Sequence, residues 1–367
     1  MPFCAATTNH CCIGIKQNYK PCCRYSDSEN FFPISQYSFQ DYKNTEFFVN
    51  LKQELSQAWP AGCVRCQDEE RHGLVSLRQR YNDRMSGELD KLEFLELSIS
   101  NHCNLTCKMC DNFSSSKWQH VLDSNNELLK YDFGKEVKPS SKFWIEHVFQ
   151  NLNLDHLHTV KYLGGEPFIT PELDKLIDFF IEKGIIEKIN FRCNTNCTFY
   201  PKKLIDKLLK FKSVRIDLSI DGINELCNFI RTGEQWSTVS KVVGQWVDLR
   251  SKNQKVTLIL HHTSQALNIH QFDLIKKFAK DKDIQFSYSI LNHPNYLNFT
   301  VLPKNYVTKL TTSQALVDEK LISILNKVSY SDSNHKKFIS YVNDTDKVLN
   351  TDFKSTIPLF YDCLDLT

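Results

Sequence analysis

At 367 residues, with 45 Lys and Arg against 43 Asp and Glu and a formal charge of +2, the chain is long enough for one large α/β domain with appendages. A balance this close to neutral excludes a global field that would draw it to nucleic acid or to an acidic membrane surface. Phe at 25 and Tyr at 14 exclude a disordered chain, and no run of ~18 uninterrupted apolar residues offers a membrane span.

The start, Met1-Pro2-Phe3-Cys4, lacks a basic stretch followed by a long apolar one, so a cytoplasmic location is expected. In that compartment 14 cysteines point to metal or redox chemistry rather than to disulfides. Residues 1–90 carry Cys4, Cys11, Cys12, Cys22, Cys23, Cys63 and Cys66. A hairpin is expected through Ile13-Gly14-Ile15 and Gln17-Asn18, returning the chain to Pro21-Cys22-Cys23. A helical-looking segment then leads to Cys63-Val64-Arg65-Cys66, a Cys-x2-Cys knuckle, and together hairpin and knuckle could close four ligands around one metal. The charged run Asp68 to Arg80 reads as a solvated linker helix.

From Phe94 onward strands and helices alternate. Strands are expected at 94–100, 159–163, 188–192, 214–220, 255–261 and 284–290, and a polar insertion at 111–140. Helices are expected near 141–152, from Pro171, around Leu204, Ile205, Leu208 and Leu209, and near 235–250 and 270–280. The Pro171 helix has the clearest stripe, Leu173, Leu176, Ile177, Phe180 and Ile181, and Pro171 suits its first turn. Six consecutive βα units imply a parallel sheet with right-handed crossovers. Six are too few for a closed eight-fold barrel, so an open, partial (β/α)6 barrel is expected, with ligands at the carboxyl ends of its strands. Beyond 300 the pattern turns helical.

The densest chemistry follows the first of these strands: His102-Cys103-Asn104-Leu105-Thr106-Cys107-Lys108-Met109-Cys110. Its Cys-x3-Cys-x2-Cys spacing supplies three thiolates, whereas a closed zinc site or a fully ligated iron–sulfur cluster takes four protein ligands. A three-thiolate cluster leaves one iron open to an outside ligand. After the second strand comes Gly164-Gly165-Glu166-Pro167, and after the third Arg192-Cys193-Asn194-Thr195-Asn196-Cys197. Ser219-Ile220-Asp221-Gly222 and Phe229-Ile230-Arg231-Thr232-Gly233 follow the fourth.

In this order and spacing the motifs resemble the radical S-adenosylmethionine (radical SAM) superfamily over residues 91–300. The resemblance implies a 4Fe-4S cluster on Cys103, Cys107 and Cys110, with the open iron chelated by the amino and carboxylate groups of SAM. It implies that Gly164, Gly165, Glu166 and Pro167 hold the SAM ammonium, where two glycines admit close approach. Asn196 would lie near the ribose or carboxylate, Ser219 would bond the ribose, and Arg231 would pair with the carboxylate. Met109 stands where an aromatic often packs on adenine. Cys197 replaces a usual Gly, which leaves the local backbone open, and Asp221 is expected only to cap the following helix.

The N-terminal cysteines resemble the auxiliary-cluster modules, twitch or SPASM, of that superfamily, although those modules usually follow the core. The resemblance implies a second 4Fe-4S cluster on Cys4, Cys22, Cys63 and Cys66, with Cys23 able to replace Cys22; a structural zinc knuckle is the alternative. Three regions are therefore expected: a cysteine-rich module at 1–90, the core at 91–300, and a helical cap at 301–367. The implied reaction is reductive cleavage of SAM to a 5′-deoxyadenosyl radical that abstracts hydrogen from substrate, with a flavodoxin or ferredoxin as electron donor. A peptide or protein substrate is favoured. A small-molecule alcohol or sugar dehydrogenase, or a non-catalytic iron–sulfur electron carrier, are the alternatives.

Overall fold

The computed structural model describes residues 3–26, 30–86, 88, 91–131, 133, 148–149 and 152–364. Most of the helix expected at 141–152 lies outside them. The strands, in chain order, are β1 (His10–Gly14), β2 (Asn18–Lys20), β3 (Phe32–Pro33), β4 (Phe94–Ser98), β5 (Thr106–Cys107), β6 (Thr159–Leu163), β7 (Asn190–Thr195), β8 (Ser213–Ser219), β9 (Arg231–Thr232), β10 (Val256–Ser264) and β11 (Gln285–Ile290). The chain divides into two compact units: Met1–Asn101 with Val137–Cys193 and Pro201–Arg215, and His102–Glu136 with Asn194–Tyr200 and Ile216–Thr367.

In the first unit the sheet order is β3-β2-β1-β4-β6-β7. The expected hairpin is β1 against β2, with Ile13 opposite Tyr19 and Gly14 opposite Asn18. It does not stand apart. β1 also lies parallel to β4, from His10 opposite Phe94 to Ile13 opposite Leu97, so the cysteine-rich hairpin extends the sheet of βα units. β4, β6 and β7 are parallel, with Glu96 opposite Lys161 and Lys161 opposite Arg192. The helix Pro171–Glu182 buries Leu173, Leu176, Ile177 and Phe180, each contributing about 1.5–3 kcal/mol of transfer free energy.

The run 68–80 is not one linker helix. It is the end of a helix Val64–Arg71 and the start of another, Leu77–Asn82, parted at Gly73, whose φ is 68°. Ser76 and Gln79 form a capping box at the second start, which satisfies backbone groups that a continuous helix would have paired internally.

The second unit carries β8, β10 and β11 in that order, with β10 and β11 parallel from Ile259 opposite Gln285 to Ser264 opposite Ile290. β5 and β9 form a separate antiparallel pair, Thr106 opposite Thr232 and Cys107 opposite Arg231. The helices Lys304–Thr312, Glu319–Lys327 and Asp332–Leu349 bury Leu310, Leu321, Phe338 and Tyr341 in one core with Trp118 and Phe229. The fold is thus mixed α/β with parallel strands alternating with helices, as expected. β3 is an edge strand of the first unit's sheet and β11 of the second's, so the described strands close no barrel. Among the described residues, no helix is long and apolar enough to cross a membrane.

Candidate functional site

The three-cysteine loop lies in the second unit and contains little regular structure, so its backbone groups need partners from elsewhere. Side chains supply them. Ser115 Oγ donates to the Leu105 carbonyl (2.6 Å), Lys117 Nζ to that of Asn104 (3.0 Å), Trp118 Nε1 to that of Cys107 (3.0 Å) and the Tyr341 hydroxyl to that of Lys108 (2.6 Å). The Cys103 N–H meets Ser116 Oγ at 3.3 Å, and the Lys108 N–H meets the Ile230 carbonyl at 2.8 Å. None of these braces was read from the sequence. The position of Ser115-Ser116-Lys117-Trp118 just past the last cysteine was the available signal.

Within this loop the Cys107 and Cys110 thiols share a hydrogen bond, which with burial pushes the Cys107 thiol well up; the nearby Arg231 guanidinium pulls the other way. Asn196, 6% exposed, reaches Cys103 Sγ at 4.0 Å and donates to Asn104 Oδ1 at 3.0 Å. Cys197 has φ of 61°. It adopts the left-handed backbone that glycine would take, at a strain of about 1–2 kcal/mol, so the replacement preserves the turn. Met109 packs partly buried against the unit's core, and Ser219 is the half-buried last residue of β8.

Asp221 is not the helix cap expected. Asn224 precedes the helix Glu225–Ile230, while the Asp221 carboxylate takes Arg231 Nε at 2.8 Å and Nη2 at 2.5 Å and accepts the Thr263 N–H at 2.7 Å. One edge of the Arg231 fork, Nε and Nη2, is therefore held on a single carboxylate oxygen, which fixes its cation beside the thiols.

The Gly-Gly-Glu-Pro turn belongs to the first unit. Gly164 and Gly165 have φ of 91° and 54°, and a Cβ on Gly164 would stand 2.6 Å from the Ser100 carbonyl oxygen. Glu166 is 1% exposed; its Oε1 accepts the Phe168 N–H at 3.2 Å, and Pro167 opens the next short helix. Gly164→Ala is expected to destabilise the fold by on the order of 3 kcal/mol, against about 1–2 kcal/mol for Gly184→Ala, where φ is 67° and a Cβ meets nothing within 4 Å. Urea unfolding of both variants checks the difference.

Of the N-terminal cysteines, Cys4, Cys22, Cys63 and Cys66 line one cavity together with Trp59, Tyr81, Arg24, Arg65 and Arg78. Cys23 is absent from that lining, and its thiol hydrogen-bonds the buried Glu96. Burial pushes Cys4 to about 11, Cys63 to about 12, and Cys22 well up; thiols in so dry a place ionise when a metal takes the proton's part.

The charged residues first read as linker are what hold these thiols. Arg78 pairs with Glu70 through Nε at 2.9 Å and Nη2 at 2.8 Å, and its Nη1 donates to the Phe3 carbonyl at 2.7 Å, fixing the segment that carries Cys4. Arg24 grips both oxygens of Glu69 at 2.6 and 2.7 Å, tying the Cys22 turn to the helix that carries Cys66. A Cβ at Gly62 would enter the Tyr25 ring at 2.4 Å, so only glycine lets the knuckle pack there. Arg65 Nε is buried without a hydrogen-bond partner, an orphaned donor at a cavity of thiols that suits an anionic occupant.

Among the described residues, no three His, Cys, Asp or Glu side chains are drawn together as a single ion requires, since one zinc gathers its sulfurs to ~2.3 Å. If these thiols hold a metal, Cys22→Ala is expected to lose it, whereas Cys23→Ala, whose thiol is turned to Glu96, keeps it; metal and sulfide analysis of anaerobically prepared variants distinguishes them.

Residues 97–268 match the family described as Radical SAM superfamily. Among curated proteins, an uncharacterized protein of Methanocaldococcus jannaschii is 27% identical over 168 residues, 45% of this chain and 51% of that protein. A GTP 3′,8-cyclase of Clostridium acetobutylicum is 24% identical, covering 49% of this chain and 51% of its own. The chain spans about half the length of these curated relatives. Among solved structures, Streptococcus suis SuiB bound to the precursor peptide SuiA is 18% identical over 91% of this chain and 59% of its own, with a TM-score of 0.37, a likeness too loose to bear on architecture.

Proposed function

We propose, from the premise that residues 97–268 of this chain belong to the radical SAM superfamily, that the protein reductively cleaves S-adenosylmethionine and uses the resulting radical to abstract hydrogen from a substrate. The observation that carries this reading is the braced loop of Cys103, Cys107 and Cys110, three thiols with a fixed cation, Arg231, beside two of them. A 4Fe-4S cluster bound there would supply one electron to the SAM sulfonium, giving methionine and a 5′-deoxyadenosyl radical, the electron coming from a reduced flavodoxin or ferredoxin.

The protein's own residues bind and orient. Each assignment is made within its own unit. Gly164 and Gly165 bare the backbone, and Glu166 offers a carboxylate suited to the SAM ammonium. Ser219 is the polar group for the ribose, Asn196 for the ribose or the SAM carboxylate, Met109 the apolar face for adenine, and Arg231 the cation for the SAM carboxylate. The N-terminal thiols Cys4, Cys22, Cys63 and Cys66 would hold a second, auxiliary 4Fe-4S cluster. Its four-ligand set leaves no iron for substrate and favours electron transfer over substrate binding. The Cys23–Glu96 hydrogen bond supports Cys22 as the ligand. A peptide or protein substrate follows from the resemblance to auxiliary-cluster enzymes.

The test is anaerobic reconstitution with iron and sulfide, followed by dithionite and SAM. Formation of 5′-deoxyadenosine is expected; its absence, with both clusters assembled, would leave a non-catalytic electron carrier.

A further inference from the structure

Lys108 stands between two of the three loop cysteines, and its side chain is fully buried. Lysine normally keeps its ammonium in water and buries only the stem, because an enclosed charge is costly unless paired and hydrogen-bonded. Here the Nζ is seated among Thr345 Oγ1 at 3.0 Å, Thr351 Oγ1 at 3.1 Å and Asp346 Oδ1 at 3.2 Å, and it lies 4.4 Å from the centre of the Phe229 ring. The seat is itself built: Thr351 Oγ1 donates to Asp346 Oδ1 at 2.6 Å, and Asp346 Oδ2 accepts the Phe353 N–H at 2.6 Å. The backbone of the same residue is held on both sides, its N–H by Ile230 and its carbonyl by Tyr341. Every polar group of Lys108 thus has a partner, and of the five hydrogen-bonding anchors three, Tyr341, Thr345 and Asp346, come from the helix Asp332–Leu349, and a fourth, Thr351, lies two residues beyond it.

We propose that Lys108 is a positioning residue: by plugging the cysteine loop into the C-terminal helix, it fixes where the Cys107 and Cys110 sulfurs stand relative to each other and to Arg231. This rests on the reading of that loop as the SAM-cluster loop. Its consequence is that the C-terminal helical segment is part of the cofactor machinery rather than a passive cap. A misplacement of about 1 Å at a reacting centre costs up to ~10²-fold in rate, so loss of the plug is expected to slow cleavage roughly 10- to 100-fold.

The experiment uses the full chain, reconstituted anaerobically, as wild type, Lys108→Met, Lys108→Met/Asp346→Asn and Thr345→Val. Three readouts are taken: 5′-deoxyadenosine formation, the change that SAM causes in the electron paramagnetic resonance spectrum of the reduced cluster, and the melting midpoint. Lys108→Met is expected to keep its N-terminal iron but lose both the rate and the SAM-dependent spectral change. The double variant, which no longer leaves Asp346 charged without its cation, is expected to regain the melting midpoint without regaining the spectral change. Recovery of both together, or a wild-type response in Lys108→Met, would overturn the proposal. Should Lys108→Met not fold, Thr345→Val removes one seat at nearly constant volume and is expected to lose about threefold in rate; an unchanged rate and spectrum there overturns the proposal equally. Failure of the wild type itself to cleave SAM would overturn the enzymatic reading, a different result from a normal wild type with an indifferent Lys108.

Discussion

On the proposed two-cluster reading, Cys107→Ala is expected to abolish 5′-deoxyadenosine formation while leaving iron at the N-terminal cysteines in place. Two clusters predict about eight irons per chain, so the variant should retain about four. The reason is that Cys107, a proposed cluster ligand, is held through both its backbone and its thiol. It pairs with Arg231 in the short β5–β9 ladder, its carbonyl holds Trp118, and its thiol touches that of Cys110. Alanine keeps the backbone contacts and removes only the sulfur. Cys103→Ala and Cys110→Ala are expected to behave alike. Loss of all the iron in each variant would show that the two thiol sets do not form separate centres.

Lys161→Met is expected to cost about 3–5 kcal/mol of stability, the largest effect anticipated away from the cysteines. Glu96 is wholly buried on β4, with Lys161 Nζ at 2.8 Å, the Tyr81 hydroxyl at 3.0 Å and His10 Nε2 at 3.4 Å. Burial pushes its carboxyl up, but Lys161 and His10 more than offset this and hold it well below the usual carboxylate range. A carboxyl whose folded pKa is depressed contributes stability that is present above its unfolded value near 4.5 and lost as pH falls through the lower, folded value. Removing Lys161 raises the folded value, so the variant's acid unfolding should begin at a higher pH than the wild type's. Urea unfolding at neutral pH, and an acid titration followed by circular dichroism, measure the two effects; an acid midpoint that does not move would refute this account of Glu96.

The six βα strands and the Pro171 helix were legible because apolar spacing alone specifies them, and Leu173, Leu176, Ile177 and Phe180 are buried where the stripe put them. The loop of Cys103, Cys107 and Cys110 was legible from its spacing. What holds that loop was not, because Tyr341, Thr345 and Asp346 lie more than 230 residues away in sequence, and no local pattern encodes a contact that distant. The segment 68–80 misled for a different reason: charge density was taken for solvation, although Ser76-Leu77-Arg78-Gln79 carries the signature of a helix start and Gly73 that of a helix end. Asp221 was read by the local rule for caps, whereas its carboxylate serves a residue ten positions on. The parallel pairing of β1 with β4 lay beyond any pattern of period two, which specifies faces but not neighbours.

The paired charges around the N-terminal thiols have one more consequence. Arg78 with Glu70, and Arg24 with Glu69, draw the distant stretches together through bonds of their own that involve none of the thiols. If a metal group binds there as proposed, its removal by a chelator is expected to be reversible without refolding the chain, unlike the small zinc domains that unravel when their ion departs.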